Sequence, residues 1–131
     1  MKKGEGKMQN DKKENDRDLA RRTKKFALRI IKMYSALPRE TVAQVLGKQV
    51  LRSGTSVGAN YREANRARSK AEFVAKMGDC LKELDETAYW LELLVEAAMV
   101  AESRLSPLLD ETSQLIAIFV TIIKCAKGNE K

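Results

Sequence analysis

Basic side chains recur at helical spacing in two stretches of this chain, and phosphate binding is the chemistry that they could perform. The second stretch runs from Lys48 to Arg66, about 27 Å along a helix at 1.5 Å per residue. Arginine suits this role because its planar guanidinium grips a phosphate through two N–H groups. The candidate nucleic-acid-binding residues are Arg17, Arg21, Arg22, Lys25, Arg29 and Lys32 in the first stretch, and Lys48, Arg52, Arg62 and Arg66 in the second.

Pairing within the protein is an equally open interpretation of these cations. An acidic stripe follows at helical spacing, at Glu72, Asp79, Glu83 and Glu86. Arg52, Arg62 and Arg66 could form ion pairs with this stripe, or could simply be solvated. Aromatic residues are not interleaved with the arginines, as they are in proteins that bind single strands. If the cations bind nucleic acid, we expect a structured RNA recognised by shape and charge.

Catalytic and metal-binding patterns are missing from the sequence. The chain has no histidine, which excludes a Ser-His-Asp triad and a Cys-His dyad. Its only cysteines, Cys80 and Cys125, are far apart and form no zinc motif; both are predicted to be buried thiols in a reducing compartment. The segment 54–58 is rich in glycine but lacks the lysine of a phosphate-binding loop. We therefore expect a protein that is not an enzyme, with no cofactor, no metal and no small-molecule substrate.

The segment Gln49–Ala64 positions the second set of cations. Apolar or small residues recur through its glycines at spacings of three and four, which predicts one amphipathic helix rather than a turn. Gly54 and Gly58 share one edge with Gly47, which lies just before the segment, and a polar ladder occupies the other edge. Each glycine costs about 1 kcal/mol in a helix, so we expect close approach of a neighbouring backbone. The candidate residues for helix and subunit packing are Gln49, Ser53, Gly54, Ser56, Gly58, Asn60, Tyr61 and Trp90.

The remaining periodicities predict an all-α protein of 131 residues, an antiparallel up-down-up-down four-helix bundle. The predicted helices span about 16–37, 38–68, 69–101 and 107–127, with Ser69 and Ser106 as N-caps and Pro107 as a first helical residue. Residues 1–15 are predicted to be a flexible basic tail, 16–127 the bundle and 128–131 a short C-terminal tail. The segment from Leu115 to Ile123 is apolar nearly all round, which indicates a second buried face against another subunit.

Charge is distributed unevenly along the chain, whose formal net charge is +7. Residues 1–70 hold 19 Lys and Arg against seven Asp and Glu, whereas residues 71–131 hold six against 11. This asymmetry indicates an acidic partner for the first half, or complementary charges within the bundle or between subunits. No signal peptide is visible, and the longest apolar run is too short to span a bilayer. We therefore expect a cytoplasmic protein without a membrane partner.

Two sequence blocks carry a resemblance to a known family. The first is Gln49, LRSGTS at 51–56 and GANYREA at 58–64, and the second includes Ser69, Glu72, Phe73 and YWLELL at 89–94. Over roughly 17–126 the chain resembles the bacterial four-helix-bundle family of the 23S rRNA intervening-sequence protein. That resemblance implies an antiparallel bundle assembled as a homopentameric ring.

This resemblance and the basic surface together lead to three hypotheses about the function of the protein. The first hypothesis is a non-catalytic, oligomeric protein that binds structured RNA. The alternative is a protein-partner adaptor, because the family is similar to accessory proteins of diversity-generating retroelements, which work with a reverse transcriptase and its RNA. A purely structural oligomer is the third interpretation.

Overall fold

The computed structural model describes residues 3–128, with side chains from Asp18 onward. They form four α-helices, α1 (Lys3–Ser35), α2 (Thr41–Asn65), α3 (Lys70–Glu96) and α4 (Glu102–Gly128), and no strand occurs in this part of the chain. The protein is thus all-α, as predicted, and the helices share one hydrophobic core. No helix in the described range is both long and apolar enough to cross a membrane.

Small residues of α2 hold it close to α1. A Cβ atom added to Gly54 would lie 2.7 Å from Ile30 Cγ1, and one added to Gly58 would lie 3.3 Å from Thr23 Oγ1. At Gly47 an added Cβ would collide with Leu37. In these contacts, later residues of α2 meet earlier residues of α1. The glycine edge of α2 therefore lies along its neighbour.

The contact between α2 and α3 is the most extensive one among the described helices. At its centre the buried Thr87 hydroxyl donates to Ser53 Oγ at 2.8 Å and also lies 2.7 Å from the Glu83 carbonyl oxygen. The buried Cys80 thiol lies 3.6 Å from the Val57 carbonyl oxygen. These pairs satisfy polar groups that would otherwise be costly inside the core.

Aromatic and aliphatic side chains from all four helices fill the centre. The rings of Tyr61 on α2 and Phe119 on α4 meet edge to face, with centroids 6.0 Å apart. Helices α1 and α3 contribute the fully buried Ile30 and Leu84. In α4, Leu115 and Phe119 are buried, and the other large apolar residues of the predicted all-round apolar segment are half-buried.

Two helix starts differ from the prediction. Helix α1 begins at Lys3 rather than Asp16; the Lys, Glu, Met and Gln residues before Asp16 are good helix formers, whereas Gly4 and Gly6 are not. Helix α2 begins at Thr41 rather than Pro38, and a short connection that includes Pro38 precedes it. The predicted C-terminal tail lies, beyond Gly128, outside the described residues.

The predicted N-cap of α3 is confirmed. Ser69 Oγ accepts a hydrogen bond from the Glu72 amide at 3.0 Å. The Glu72 carboxylate reaches back to the Arg68 amide at 3.1 Å, one residue before the group that a standard capping box would bind. The first bond satisfies an amide that the first turn leaves without a helical partner, and the second ties the residue before the N-cap to the start of the helix.

The end of α3 and the start of α4 were predicted wrongly. Helix α3 ends at Glu96 instead of Ala101, because Ala98 adopts a left-handed conformation with φ of 60°. The amides of Ala98 and Met99 then bond back to the carbonyls of Val95 and Leu94 at 3.0 and 2.9 Å, the pattern of a Schellman turn.

Helix α4 consequently begins at Glu102, so Ser106 is not its N-cap and Pro107 lies inside the helix. Pro107 is the sixth residue of α4, so its missing amide leaves the Ser103 carbonyl without its usual helical partner. Cys125 was also predicted wrongly: it is exposed near the end of α4, while Cys80 is buried.

Replacement of Ala98 by glycine should stabilise the protein. The left-handed conformation costs an L-residue roughly 1–2 kcal/mol and costs glycine almost nothing, although glycine loses more entropy on folding. We expect Ala98→Gly to raise the free energy of unfolding by about 1 kcal/mol in urea denaturation followed by circular dichroism. Ala97→Gly is the matched control, because Ala97 has φ of −82° and should only lose stability. Equal effects of the two substitutions would contradict the strain at Ala98.

Replacement by alanine should change the stability of the protein in opposite directions at Gly54 and at Gly78. A methyl group at Gly54 would overlap the buried Ile30, whereas a methyl group at Gly78 meets nothing within 4 Å. Each substitution gains about 1 kcal/mol from the higher helix propensity of alanine, but overpacking at Gly54 costs about 1–3 kcal/mol. We expect Gly54→Ala to lower the melting temperature and Gly78→Ala to raise it. A Gly54→Ala protein as stable as Gly78→Ala would show that the glycine edge is not needed for packing.

Candidate nucleic-acid interface

Some predicted phosphate-binding residues are engaged inside the protein. Arg22 donates two hydrogen bonds to the Glu111 carboxylate, at 2.9 and 2.7 Å, and a third to Gln114 Oε1 at 2.9 Å. The hydrogen bond from Arg22 is the main reason why the pKa of Glu111 is lowered and that of Arg22 is raised. Since the backbones of α1 and α4 make few close contacts, this clasp joins the two helices by their side chains.

Arg52 on α2 pairs with α3. Its guanidinium lies 3.3 Å from Glu83 Oε2 and 3.3 Å from Glu86 Oε2. The charge of Glu83 is the largest reason why the pKa of Arg52 is raised. Among the predicted α2 cations, only Arg52 forms an ion pair with the acidic stripe in the described part of the chain. Arg62 and Arg66 form no ion pair with a described residue.

A groove on the outer side of α1 and α2 brings four other cations together. Its volume is about 530 Å³, and its rim carries Arg21 and Lys24 from α1 and Arg62 and Arg66 from α2. Of these, Arg21, Arg62 and Arg66 were predicted. All four side chains are exposed. The two basic stretches of the sequence lie on α1 and α2, and both contribute to one cationic site.

Small side chains form the floor of this groove. Ala20 and Ala27 line it from α1, and Thr55, Gly58 and Ala59 line it from α2. Gly58 lets α2 approach Thr23, so the two backbones lie close beneath the cations. A long side chain at any floor position would fill the space, which makes the groove a consequence of local residue size as well as of helix packing.

The groove keeps its positive charge because its nearby carboxylate is occupied elsewhere. Glu63 contributes to the lining, but its Oε2 lies 2.9 Å from Lys76 Nζ on α3. The ion pair with Glu63 is the main cause of the raised pKa of Lys76. The four rim cations therefore act together on any anion that enters.

The other predicted cations lie elsewhere. Lys25 and Arg29 line a smaller cavity beside the Arg22–Glu111 clasp, and Arg29 also joins Lys32 at a cavity at one end of the bundle. Lys48 is exposed on α2 outside these cavities. The side chain of Arg17 lies outside the described residues. Lys24 was missed, although its position three residues after Arg21 brings it to the α2-facing edge of α1.

The predicted packing residues occupy varied environments. Ser53, Gly54 and Tyr61 are buried, whereas Gln49, Ser56, Gly58, Asn60 and Trp90 are half-buried. The Ser56 hydroxyl donates to the Arg52 carbonyl of its own helix at 2.6 Å rather than to a neighbour. The indole N–H of Trp90 is buried and has no hydrogen-bond acceptor in the described part of the chain.

No cluster of acidic, cysteine or histidine side chains suited to a metal ion occurs among residues with described side chains. The fold and the groove together define an all-helical protein with a cationic surface that two helices share. Its family follows from comparison with known proteins. Residues 15–121 match the model of the 23S rRNA-intervening sequence protein family, so the chain belongs to that family.

A solved structure supports the same assignment. A crystal structure of a protein of unknown function from the S23 ribosomal protein family of Bacteroides thetaiotaomicron VPI-5482 is 38% identical to this chain, with a TM-score of 0.78. The alignment covers 83% of this chain and 97% of that one. Among curated proteins, none matches.

The ion pair between Arg22 and Glu111 should make the free energy of unfolding depend on pH. Because the pKa of Glu111 is lower in the folded protein than its ordinary value of 4.5, its stabilisation is complete above that value and is lost as pH falls through the folded pKa. We expect Glu111→Gln to lower the free energy of unfolding by about 1 kcal/mol at pH 7 and by less at pH 3.

Urea denaturation at both pH values measures this difference. Glu92→Gln is the matched control, since Glu92 is exposed and forms no ion pair with a described residue. A Glu111→Gln penalty that is the same at pH 3 and pH 7 would contradict a role for the ionised clasp.

Proposed function

We propose that this protein is a non-catalytic RNA-binding protein whose cationic groove between α1 and α2 takes the phosphate backbone of a structured RNA. The observation that carries the proposal is the convergence of Arg21, Lys24, Arg62 and Arg66 around one groove. None of the four forms an ion pair with another described residue. Their charge is therefore available to a ligand.

The spacing of the rim cations suits a phosphate backbone. Arg62 and Arg66 are one helical turn apart, about 6 Å along the axis, which is close to the separation of successive phosphates. Each guanidinium can bind a phosphate through two N–H groups. A ligand held in this way would release counterions, so its affinity should fall steeply as salt rises.

The lining favours recognition of shape and charge over recognition of bases. Tyr61 is the only aromatic side chain among the described residues that line the groove, and it is buried against Phe119. No exposed ring is thus offered to an unpaired base, as most single-strand binders require. Double-stranded RNA presents phosphates and 2′-hydroxyl groups, which a cationic groove can bind without sequence preference. The description of the family, which refers to 23S rRNA, supports RNA as the ligand.

Assembly is part of the proposal. The four helices would follow one another up, down, up and down, and five chains would form a ring. The exposed Val42, Val45 and Tyr89 support self-association, since each is at least 50% exposed in the single chain. A ring would repeat the groove and raise the overall affinity for RNA through multivalency.

Reversal of the groove charge should weaken RNA binding. We expect Arg62→Glu combined with Arg66→Glu to lower the affinity for a labelled RNA hairpin by at least about 100-fold, and to reduce the slope of log affinity against log salt by about 2. Fluorescence anisotropy over a salt series measures both quantities. Light-scattering mass, expected at about five times the 14.7 kDa of one chain, checks that assembly is unchanged.

Arg39→Glu combined with Lys82→Glu is the matched control, because it reverses the same amount of charge at two exposed residues outside the groove. It should leave the salt slope within about 0.5 of the unmodified value, since it removes no phosphate contact. Equal losses in the two double variants would mean that net charge, and not the groove, governs binding. An unmodified protein that does not bind RNA at low salt would overturn the proposal.

A protein-partner adaptor is the second candidate function, with a reverse transcriptase as one possible class of partner. The exposed apolar pair Leu28 and Ile31 on α1 favours it, because protein interfaces use such side chains and phosphate contacts do not. Leu28→Glu would separate the two functions: it should spare RNA binding in the groove and abolish binding of a protein partner at this surface.

A further inference from the structure

A second cavity lies at the end of the bundle opposite the cationic groove. It is bounded by the end of α1, the turn between α3 and α4, and the first turns of α4, and its volume is about 500 Å³. Ligand pockets in proteins commonly have volumes of about 300–1,000 Å³. The cavity shares no lining residue with the RNA-binding groove.

Apolar side chains make up most of the cavity wall. Met33 and Leu37 line it from α1 and the following turn, and Val100 and Leu105 line it from the other side. Leu37 and Leu105 belong to the buried core, so the base of the cavity is continuous with the hydrophobic interior. A wall of this composition favours the aliphatic part of a ligand.

The charged side chains of the cavity are all basic. Arg29, Lys32 and Arg104 contribute to the lining, and no carboxylate does among the residues with described side chains. Arg29 adds to the positive potential at Glu111, yet none of the three cations forms an ion pair with another described residue. Helix α4 begins and α1 ends beside the cavity, so the positive end of one dipole offsets the negative end of the other, and the three side chains supply the net positive charge.

We propose that this cavity binds a small amphipathic anion, a molecule with an aliphatic chain and one carboxylate head. The chain would lie against Met33, Val100 and Leu105, and the head would pair with Arg29, Lys32 and Arg104. A cationic amphiphile is disfavoured by the three like charges, and a short carboxylate leaves the apolar wall unfilled. A nucleic acid lacks the aliphatic part, so this site differs in ligand class from the groove.

Calorimetric titration of the full chain with hexanoate, octanoate and decanoate tests the apolar part. We expect affinity to rise about fourfold for each added methylene group that is buried. Decyltrimethylammonium, which has the same chain and the opposite charge, should not bind. The proposal is overturned if decanoate does not bind, if affinity is independent of chain length, or if the cationic amphiphile binds equally well.

Substitution of an exposed rim cation tests the head-group contact without disturbing the core. We expect Arg104→Gln to weaken decanoate binding about tenfold. Arg39→Gln is the matched control, because Arg39 is exposed near the same end of the bundle and does not line the cavity. Equal affinities of the two variants for decanoate would overturn the proposal.

Two further measurements identify other occupants of the cavity. Light scattering of Arg104→Gln should give the same mass as the unmodified protein, and a change in mass would indicate that a second copy of the chain covers the cavity. Addition of the RNA hairpin should not release decanoate. Release would indicate that the end cavity belongs to the RNA-binding surface, and either result would replace the proposal.

Discussion

Close packing of α2 against α1 is the contact on which the rest of the structure depends. A methyl group at Gly54 would overlap Ile30, which is itself part of the central core, so the glycine edge sets the distance between the two helices. The same approach places Gly58 beside Thr23 and forms the floor of the cationic groove. One packing constraint therefore supports both the stability of the protein and the shape of its candidate RNA-binding site.

The uneven distribution of charge along the chain has a structural counterpart. Carboxylates of the second half of the chain bind cations of the first half at the helix contacts: Glu111 binds Arg22, and Glu83 and Glu86 bind Arg52. These pairs join α1 to α4 and α2 to α3. Cations on the outer side of α1 and α2 have no such partners among the described residues, so the positive charge of the described surface is concentrated there. The pairing interpretation is thus confirmed for Arg52, whereas phosphate binding by the unpaired cations stays a prediction.

Helix ends could be predicted from the sequence where they depend on residues a few positions apart. The N-cap at Ser69 could be predicted because its partner, Glu72, is three residues away. The end of α3 could not, because a left-handed alanine at Ala98 has no sequence signal comparable to glycine; the turn is stabilised where α3 and α4 meet the core. That turn shifted the start of α4 to Glu102 and left Pro107 inside the helix.

The sequence alone determined the helical class, the apolar face of each helix and the presence of two basic stretches, because helical periodicity depends on neighbours within one segment. Only the tertiary structure decided that Arg22 and Arg52 pair with carboxylates while Arg21 and Lys24 face Arg62 and Arg66 across a groove. Periodicity gives the direction of a side chain on its own helix. The rotation and spacing of two helices depend on how their surfaces pack, and here residue size along the α1–α2 contact fixes both.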